Sequence, residues 1–306
     1  MSHHSHHHHG HHHHAPQSFN GAFAYAVLFN LIFVLLEVFY ATRANSMSLF
    51  ADAAHNLGDI FSLLLAWGAN FLLTRQTKQN YSYGYKKATI LAALLNACIL
   101  IISAALIAYE SIYKLFHVSN VNGSIIMTIA AIGILINGGT ALLFMRHAHE
   151  DLNIKSAFLH LAYDALIACG IVVSGILIHY TGQMWIDPAV GLLVVLSILW
   201  GTWGLLRDSI NLILDATPHH IDFLQVKNFL TELPHVIAVH DLHIWGLSTK
   251  ETAMTAHLVL TSQSEARMDY QMINHQLKER FKINHPTIQI EMQDSGFVCV
   301  RSERCG

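Results

Sequence analysis

The sequence predicts a membrane protein with six transmembrane α-helices followed by a small cytoplasmic α+β domain, ordered helix–strand–strand–helix–strand. Three observations carry this. The 306 residues are 53% hydrophobic and only 12% charged, with a mean hydropathy of +0.39, whereas a soluble domain carries about 25% charged residues. So few charges do not coat a globule of this size. The charges are also unevenly placed: 18 Lys, Arg, Asp and Glu occupy residues 1–209 and 19 occupy the last 97. A boundary near Asp208–Thr217 therefore separates a membrane part from a soluble part. Finally, six apolar stretches precede that boundary, each near the roughly 20 residues that a bilayer-spanning helix needs.

The spans read at about 20–41, 48–73, 87–112, 123–145, 155–180 and 185–207. Polar breaks separate them, among them Arg43-Ala44-Asn45-Ser46, Ser119 to Gly123, and Thr181-Gly182. The first span has no basic segment before it and no small-residue cleavage site close behind, so it reads as a retained helix. Lys and Arg in short loops set the orientation. Arg75, Lys78, Lys86, Lys87, Arg146, Lys155 and Arg207 fall on one side, and only Arg43 and Lys114 on the other. Both termini are expected in the cytoplasm, where cysteines stay reduced. The organisation is then a His-rich cytoplasmic tail at 1–16, a six-helix membrane domain at 17–208 and a cytoplasmic domain at 209–306.

Beyond the membrane part, helical periodicity covers 219–233 and 265–282. Period-two alternation marks strands at Val236–Leu247, Ala253–Leu260 and Thr287–Met292, with a turn at Ser248 to Glu251. This order fits an α+β layer sandwich. The net charge of -3 gives no basic field for nucleic acid. Four cysteines, Cys98, Cys169, Cys299 and Cys305, imply no disulfide framework.

Histidine is the outlier, at 24 residues, ten of them among the first 14. That start reads either as an expression tag or as a loose metal-gathering tail. Flexible imidazoles define no fixed geometry, so such a tail forms no selective metal site.

Ionisable groups inside a bilayer are costly and mark function. His55 and Asp59 lie four apart in the second span and so share one helix face. His160 and Asp164 repeat the spacing in the fifth. Facing each other, the two pairs make a four-coordinate cage of two imidazoles and two carboxylates, a donor set zinc accepts. A single pair reads equally as an interhelical hydrogen-bonding element, but the duplication favours the cage. Asp52 is either an outer or entry residue or a helix-end group. Glu110 reads as a snorkelling helix-end residue, and Asn96 and Asn137 read as interhelical glue.

With these residues in view, the chain resembles the cation diffusion facilitator family of divalent-metal transporters. The likeness rests on Leu49 to Asp59 (LFADAAHNLGD), Tyr83 to Lys87 (YGYKK), Asn153 through Asp164, and Val239 to Trp245 (VHDLHIW). It implies six spans, a cytoplasmic metal-binding and dimerisation domain, a homodimer, and metal/proton antiport. The family's transport positions match His55, Asp59, His160 and Asp164, and two His with two Asp resemble its zinc-preferring branch. His240, His257 and Glu291 fall on the three strands at positions that match metal ligands in family members, which implies a structural zinc there. His235, His243 and His285 are open as further contributors to that site, but read first as ordinary surface or packing residues. Thr74 to Lys87 has no His, Asp or Glu, so the further zinc site some relatives carry in this loop is not expected. His147 and His149 read either as a hydrated loop or as a weak metal collector.

The expected function is zinc export from the cytoplasm by Zn²⁺/H⁺ antiport, with metal ions, protons, the lipid membrane and a second copy as partners. A bacterial inner membrane fits the short loops better than a eukaryotic vesicle. A carrier of manganese, iron or cobalt is a rival that the two imidazoles disfavour. A membrane metalloenzyme would need an open coordination position and a general base, and no His-Glu-x-x-His motif occurs. A sensor built on the cytoplasmic domain is the third rival.

Overall fold

The computed structural model describes residues 21–75, 80–117, 119–145, 152–261 and 269–293. The His-rich start, His147, His149, Cys299 and Cys305 lie outside them. Six long helices come first: α1 (Gly21–Ala44), α2 (Met47–Leu73), α3 (Ala88–Phe116), α4 (Gly123–Met145), α5 (Leu152–Thr181) and α6 (Ile186–Ile213). Each is long and apolar enough to cross a membrane. Then follow α7 (Phe223–Thr231), β1 (Val236–Gly246), β2 (Thr252–Leu260), α8 (Tyr270–Phe281) and β3 (His285–Met292). The protein is thus a multi-pass membrane protein with a small α+β domain after its last span.

The chain forms two compact units, Met1–Gly68 with Ala92–Leu206, and Ala69–Leu91 with Arg207–Gly306. In the first, large apolar side chains point outward: Leu135 is 75% exposed, Leu166 68% and Trp200 85%. Such a surface suits lipid, and the helices satisfy their own backbone groups as a bilayer demands. Inside lie Leu49, Ile126 and Ile171, each fully buried. Between α4 and α5 the backbones nearly touch. A Cβ on Gly123 would sit 2.6 Å from the Gly175 carbonyl oxygen, and one on Gly175 would sit 2.8 Å from the Met127 nitrogen. Glycine at both places permits the close crossing.

The start of α2 is fixed by a buried polar knot. Asn45, at φ 54°, ends α1 in the left-handed region that Asn tolerates. Ser46 then caps α2, its Oγ accepting from the Leu49 N–H at 3.2 Å. Asp187, at the start of α6 and fully buried, accepts from the Met47 N–H and from the Ser46 and Ser48 hydroxyls, each at 2.6 Å. A carboxylate at a helix N-terminus is favoured by the orphan N–H groups and the helix dipole. The knot pins α2, which carries His55 and Asp59 two to three turns further on.

In the second unit, β1 and β2 pair antiparallel, and β2 and β3 pair parallel through the α8 crossover. One sheet face presents Ile244, Met254, Ala256 and Leu258 to Val226, Leu230, Ile273 and Leu277 of α7 and α8. The two short helices begin later than periodicity suggests. Asp222 caps α7, accepting from Leu224 and Gln225, and Asp269 caps α8, accepting from Met272. Residues 262–268 lie outside the described set. The turn at Ser248 closes as expected, with the Glu251 carbonyl accepting from Leu247 at 2.9 Å. This unit also takes in the segment before α3. Lys86 pairs with Glu251 at 2.5 Å and Lys87 with Asp215 at 2.6 Å, and the Thr249 N–H donates to Thr89.

Candidate metal centres

Two clusters of imidazoles and carboxylates stand out. The first lies in the membrane unit. His55 and Asp59 project from one face of α2, and His160 and Asp164 from one face of α5, because four residues advance a helix by little more than a turn. The pairs interlock rather than stack. His55 Nε2 lies 3.1 Å from Asp164 Oδ1, and His160 Nε2 lies 3.2 Å from Asp59 Oδ2 and 3.5 Å from Asp164 Oδ2. The imidazole centroids are 6.0 Å apart. Ligand atoms of His55, Asp59 and Asp164 all fall within 4.8 Å of one another. Asp164 is buried and the other three are half-buried.

Beside this cluster lies a polar neighbour that the sequence left divided. Asp52 is only 2% exposed, well inside the bundle, and its carboxyl interacts with that of Glu37, which is also fully buried on α1. Glu37 Oε2 accepts from Asn56 at 3.2 Å. Asp52 and Asn56 share the α2 face next to His55 and Asp59. Only the approach of α1 to α2 gives Glu37 these partners. Asn96 is buried as well, and its Oδ1 has no hydrogen-bond partner among the described residues.

The second cluster sits on the sheet face away from α7 and α8. His240 and His257 are directly opposite in the β1–β2 register. Glu291 lies two residues beyond Gln289, which faces His257 on β3, so it is the diagonal neighbour on the same face. His240 Nε2 is 2.9 Å from Glu291 Oε2, and His257 Nδ1 is 2.8 Å from Glu291 Oε1. Glu291 is 8% exposed and the rings are half-buried. The three donor atoms lie within 4.8 Å of one another. Two imidazole nitrogens and one carboxylate oxygen at this spacing fit a divalent ion with bonds near 2.0–2.2 Å.

A β-bulge falls between His240 and His243. One extra residue on β1 brings His243 opposite Thr255, on the same face as His240 although three positions separate them. Asp241, in the bulge at φ 50°, turns its carboxylate along that face. Its Oδ1 is 3.0 Å from His243 Nε2 and its Oδ2 is 3.6 Å from His257 Nε2. Hydrogen bonding to His243 holds the Asp241 carboxyl below the usual carboxylate range, with added attraction from the His257 and His240 rings. His243 therefore belongs to the cluster's surroundings rather than to the ordinary surface. His285 instead stacks edge-on against Tyr83, centroids 5.7 Å apart.

Six apolar helices bearing paired His and Asp, followed by a domain with a His/His/Glu cluster, define a class of membrane metal-cation carriers. Residues 23–214 match the cation efflux transmembrane domain, and residues 218–293 match the cytoplasmic domain of cation efflux proteins. The chain belongs to this family, the cation diffusion facilitators. It is 33% identical over 264 residues to the zinc transporter ZitB of Escherichia coli, covering 85% of this chain and 84% of that protein. It is 31% identical over 261 residues to the metal cation efflux system protein CzcD of Cupriavidus metallidurans, covering 85% and 83%. A cadmium, cobalt and zinc/H(+)-K(+) antiporter of Bacillus subtilis is 31% identical over 276 residues, covering 87% and 88%. The solved metal-bound C-terminal domain of the CzcD transporter matches at 32% identity with a TM-score of 0.22, covering 23% of this chain and 99% of that one. These relatives are thus a zinc transporter, a metal cation efflux protein and a metal-ion antiporter.

Proposed function

We propose that this chain exports Zn²⁺ from the cytoplasm in exchange for protons, using His55, Asp59, His160 and Asp164 as the transport ligands. The observation that carries it is the crosswise interlock of the two i, i+4 pairs, His55 with Asp164 and His160 with Asp59. Four donors that already meet across two helices need little rearrangement to surround one ion. The charge balance favours exchange. Two carboxylates carry a charge of −2, which one Zn²⁺ neutralises. Two protons on the imidazoles neutralise it equally, so the membrane site stays near zero charge in either state. Metal and protons therefore compete for the same atoms. Uncompensated charge in the bilayer would cost at least about 2.5–3.5 kcal/mol per group, which disfavours an empty, unprotonated return.

His240, His257 and Glu291 hold a resident zinc in the cytoplasmic domain, which strengthens the sheet and supports a homodimer, as the match to the family's cytoplasmic domain suggests. Both termini face the cytoplasm, with the His-rich start as a metal-gathering tail at 1–16, the membrane domain at 17–208 and the cytoplasmic domain at 209–306. A bacterial inner membrane suits the similarity to bacterial carriers. The test is ⁶⁵Zn uptake by proteoliposomes under an imposed pH gradient, with cobalt and cadmium, named for the Bacillus relative, as competing cargoes. Uptake driven by an acidic lumen and abolished by collapsing the gradient is expected. Uptake indifferent to the gradient would refute the exchange.

A further inference from the structure

The bulge in β1 carries one more inference. His257 presents both ring nitrogens to carboxylates: Nδ1 to Glu291 at 2.8 Å and Nε2 to Asp241 at 3.6 Å. His240 presents only Nε2, to Glu291, and its buried Nδ1 has no partner among the described residues. The asymmetry matters because a neutral imidazole has one lone pair and one N–H. To bind an ion through Nδ1, His257 must keep its proton on Nε2. A carboxylate on the Nε2 side selects that tautomer and fixes the plane of the ring.

Asp241 reaches this place by a strained route. A regular β1 strand would send its side chain to the opposite face from His240. The bulge and the φ of 50° turn it back onto the His240 face. Its second oxygen is held by His243 at 3.0 Å, so the carboxylate is gripped from the solvent side while it addresses His257. Asp241 cannot share the ion that His257 Nδ1 and Glu291 address, because the two ring nitrogens point in diverging directions.

We propose that Asp241 is a positioning residue of the cytoplasmic site: it locks His257 as the Nε2–H tautomer with Nδ1 turned to the metal, and His243 holds Asp241 in place. The proposal rests on reading His240, His257 and Glu291 as a resident zinc site.

The experiment uses the full chain in detergent, with Asp59→Ala and Asp164→Ala removing the membrane site, and zinc titrated against a competing chelator. Asp241→Gly and Asp241→Asn both tolerate the positive φ, so the bulge survives. Asp241→Gly should keep one zinc per chain but bind it about 10–100-fold more weakly, the usual span for losing such an outer partner. Asp241→Asn retains an acceptor oxygen without charge and should fall between. His243→Ala should weaken binding less than Asp241→Gly does. Near neutral pH the zinc-free Asn variant should melt only slightly below its parent. The decisive comparison is coupling: Asp241→Gly should add nothing to His257→Ala, yet should still weaken binding in His240→Ala. An affinity unchanged by Asp241→Gly, or weakened equally in both backgrounds, overturns the proposal. Loss of the zinc equivalent itself in Asp241→Gly would make Asp241 a direct ligand and overturn it too. If the parent binds no zinc, the cytoplasmic site itself fails and this proposal falls with it.

Discussion

The two clusters use the same side chains but are assembled in opposite ways. The membrane cluster takes two residues from each of two helices, at a spacing that any α-helix places on one face. The cytoplasmic cluster takes one residue from each of three strands, His240, His257 and Glu291, joined by an antiparallel and a parallel pairing. Helix spacing is local, whereas strand register is set by distant partners. A further difference lies in charge. The membrane cluster has two carboxylates for two imidazoles, enough to balance a divalent ion. The cytoplasmic trio has one, with Asp241 behind it. The first arrangement suits an ion that enters and leaves, and the second suits one that stays.

The largest expected effect tests that contrast directly. Asp59→Ala or Asp164→Ala leaves three donors and one negative charge in the membrane. Zinc uptake should fall to the level of protein-free vesicles while the protein elutes as a folded species in detergent. Normal transport by Asp164→Ala would remove the membrane site from the account.

The cytoplasmic counterpart should behave as a support. Replacing both His240 and His257 by Ala should lower bound zinc by one equivalent per chain and reduce transport without abolishing it. Zinc at about 100 times its Kd contributes about 2.7 kcal/mol, which corresponds to a melting shift of about 11–22 °C in a domain of 60–100 residues, where each kcal/mol is worth about 4–8 °C. That stabilisation by added zinc should vanish in the double variant. Complete loss of transport would erase the proposed division of labour.

His55→Asp sharpens the comparison by making the membrane cluster richer in oxygen. Manganese favours oxygen donors in octahedral array, while zinc accepts a tetrahedral nitrogen and oxygen set. The shorter side chain also widens the cage. The variant should admit cadmium or manganese and keep part of its zinc transport, as read by uptake of each metal at matched gradients. An unchanged preference order would place selectivity elsewhere, for example in the packing of α2 against α5.

The smallest effect concerns acid. His243 holds the Asp241 carboxyl below its ordinary value. A carboxylate depressed by folding contributes stability above its unfolded value, near 3.9, and loses it as pH falls through the lower folded value. Asp241 is partly exposed, so solvent screening keeps the contribution small. Zinc-free protein should lose slightly more melting temperature below about pH 4 than the Asp241→Asn variant does. Equal acid sensitivity would show that the His243 contact does not stabilise the fold.

Much of this architecture is written locally in the chain. Apolar length alone announces the six spans, because the bilayer has a fixed thickness and helices a fixed rise. The pairs His55 with Asp59 and His160 with Asp164 are legible for the same reason, since one turn of helix brings each pair to a common face. His240, His257 and Glu291 were named through resemblance to a family, not through spacing, because no local rule relates residues on three strands. What remained hidden depended on contacts between distant segments. Asp187 gave no sign that it would cap α2 across 140 positions. Glu37 gave none that it would meet Asn56 on the neighbouring helix. The bulge at Asp241 was equally invisible: alternation predicts opposite faces for His240 and His243, and only the pairing of β1 with β2 inserts the extra residue that unites them. Which elements form, and which helix faces carry the paired His and Asp, follows from periodicities within one element and so is legible in the chain. Which carboxylates stand behind those imidazoles depends on the register and approach of elements far apart in the chain, and so emerges only in the folded molecule.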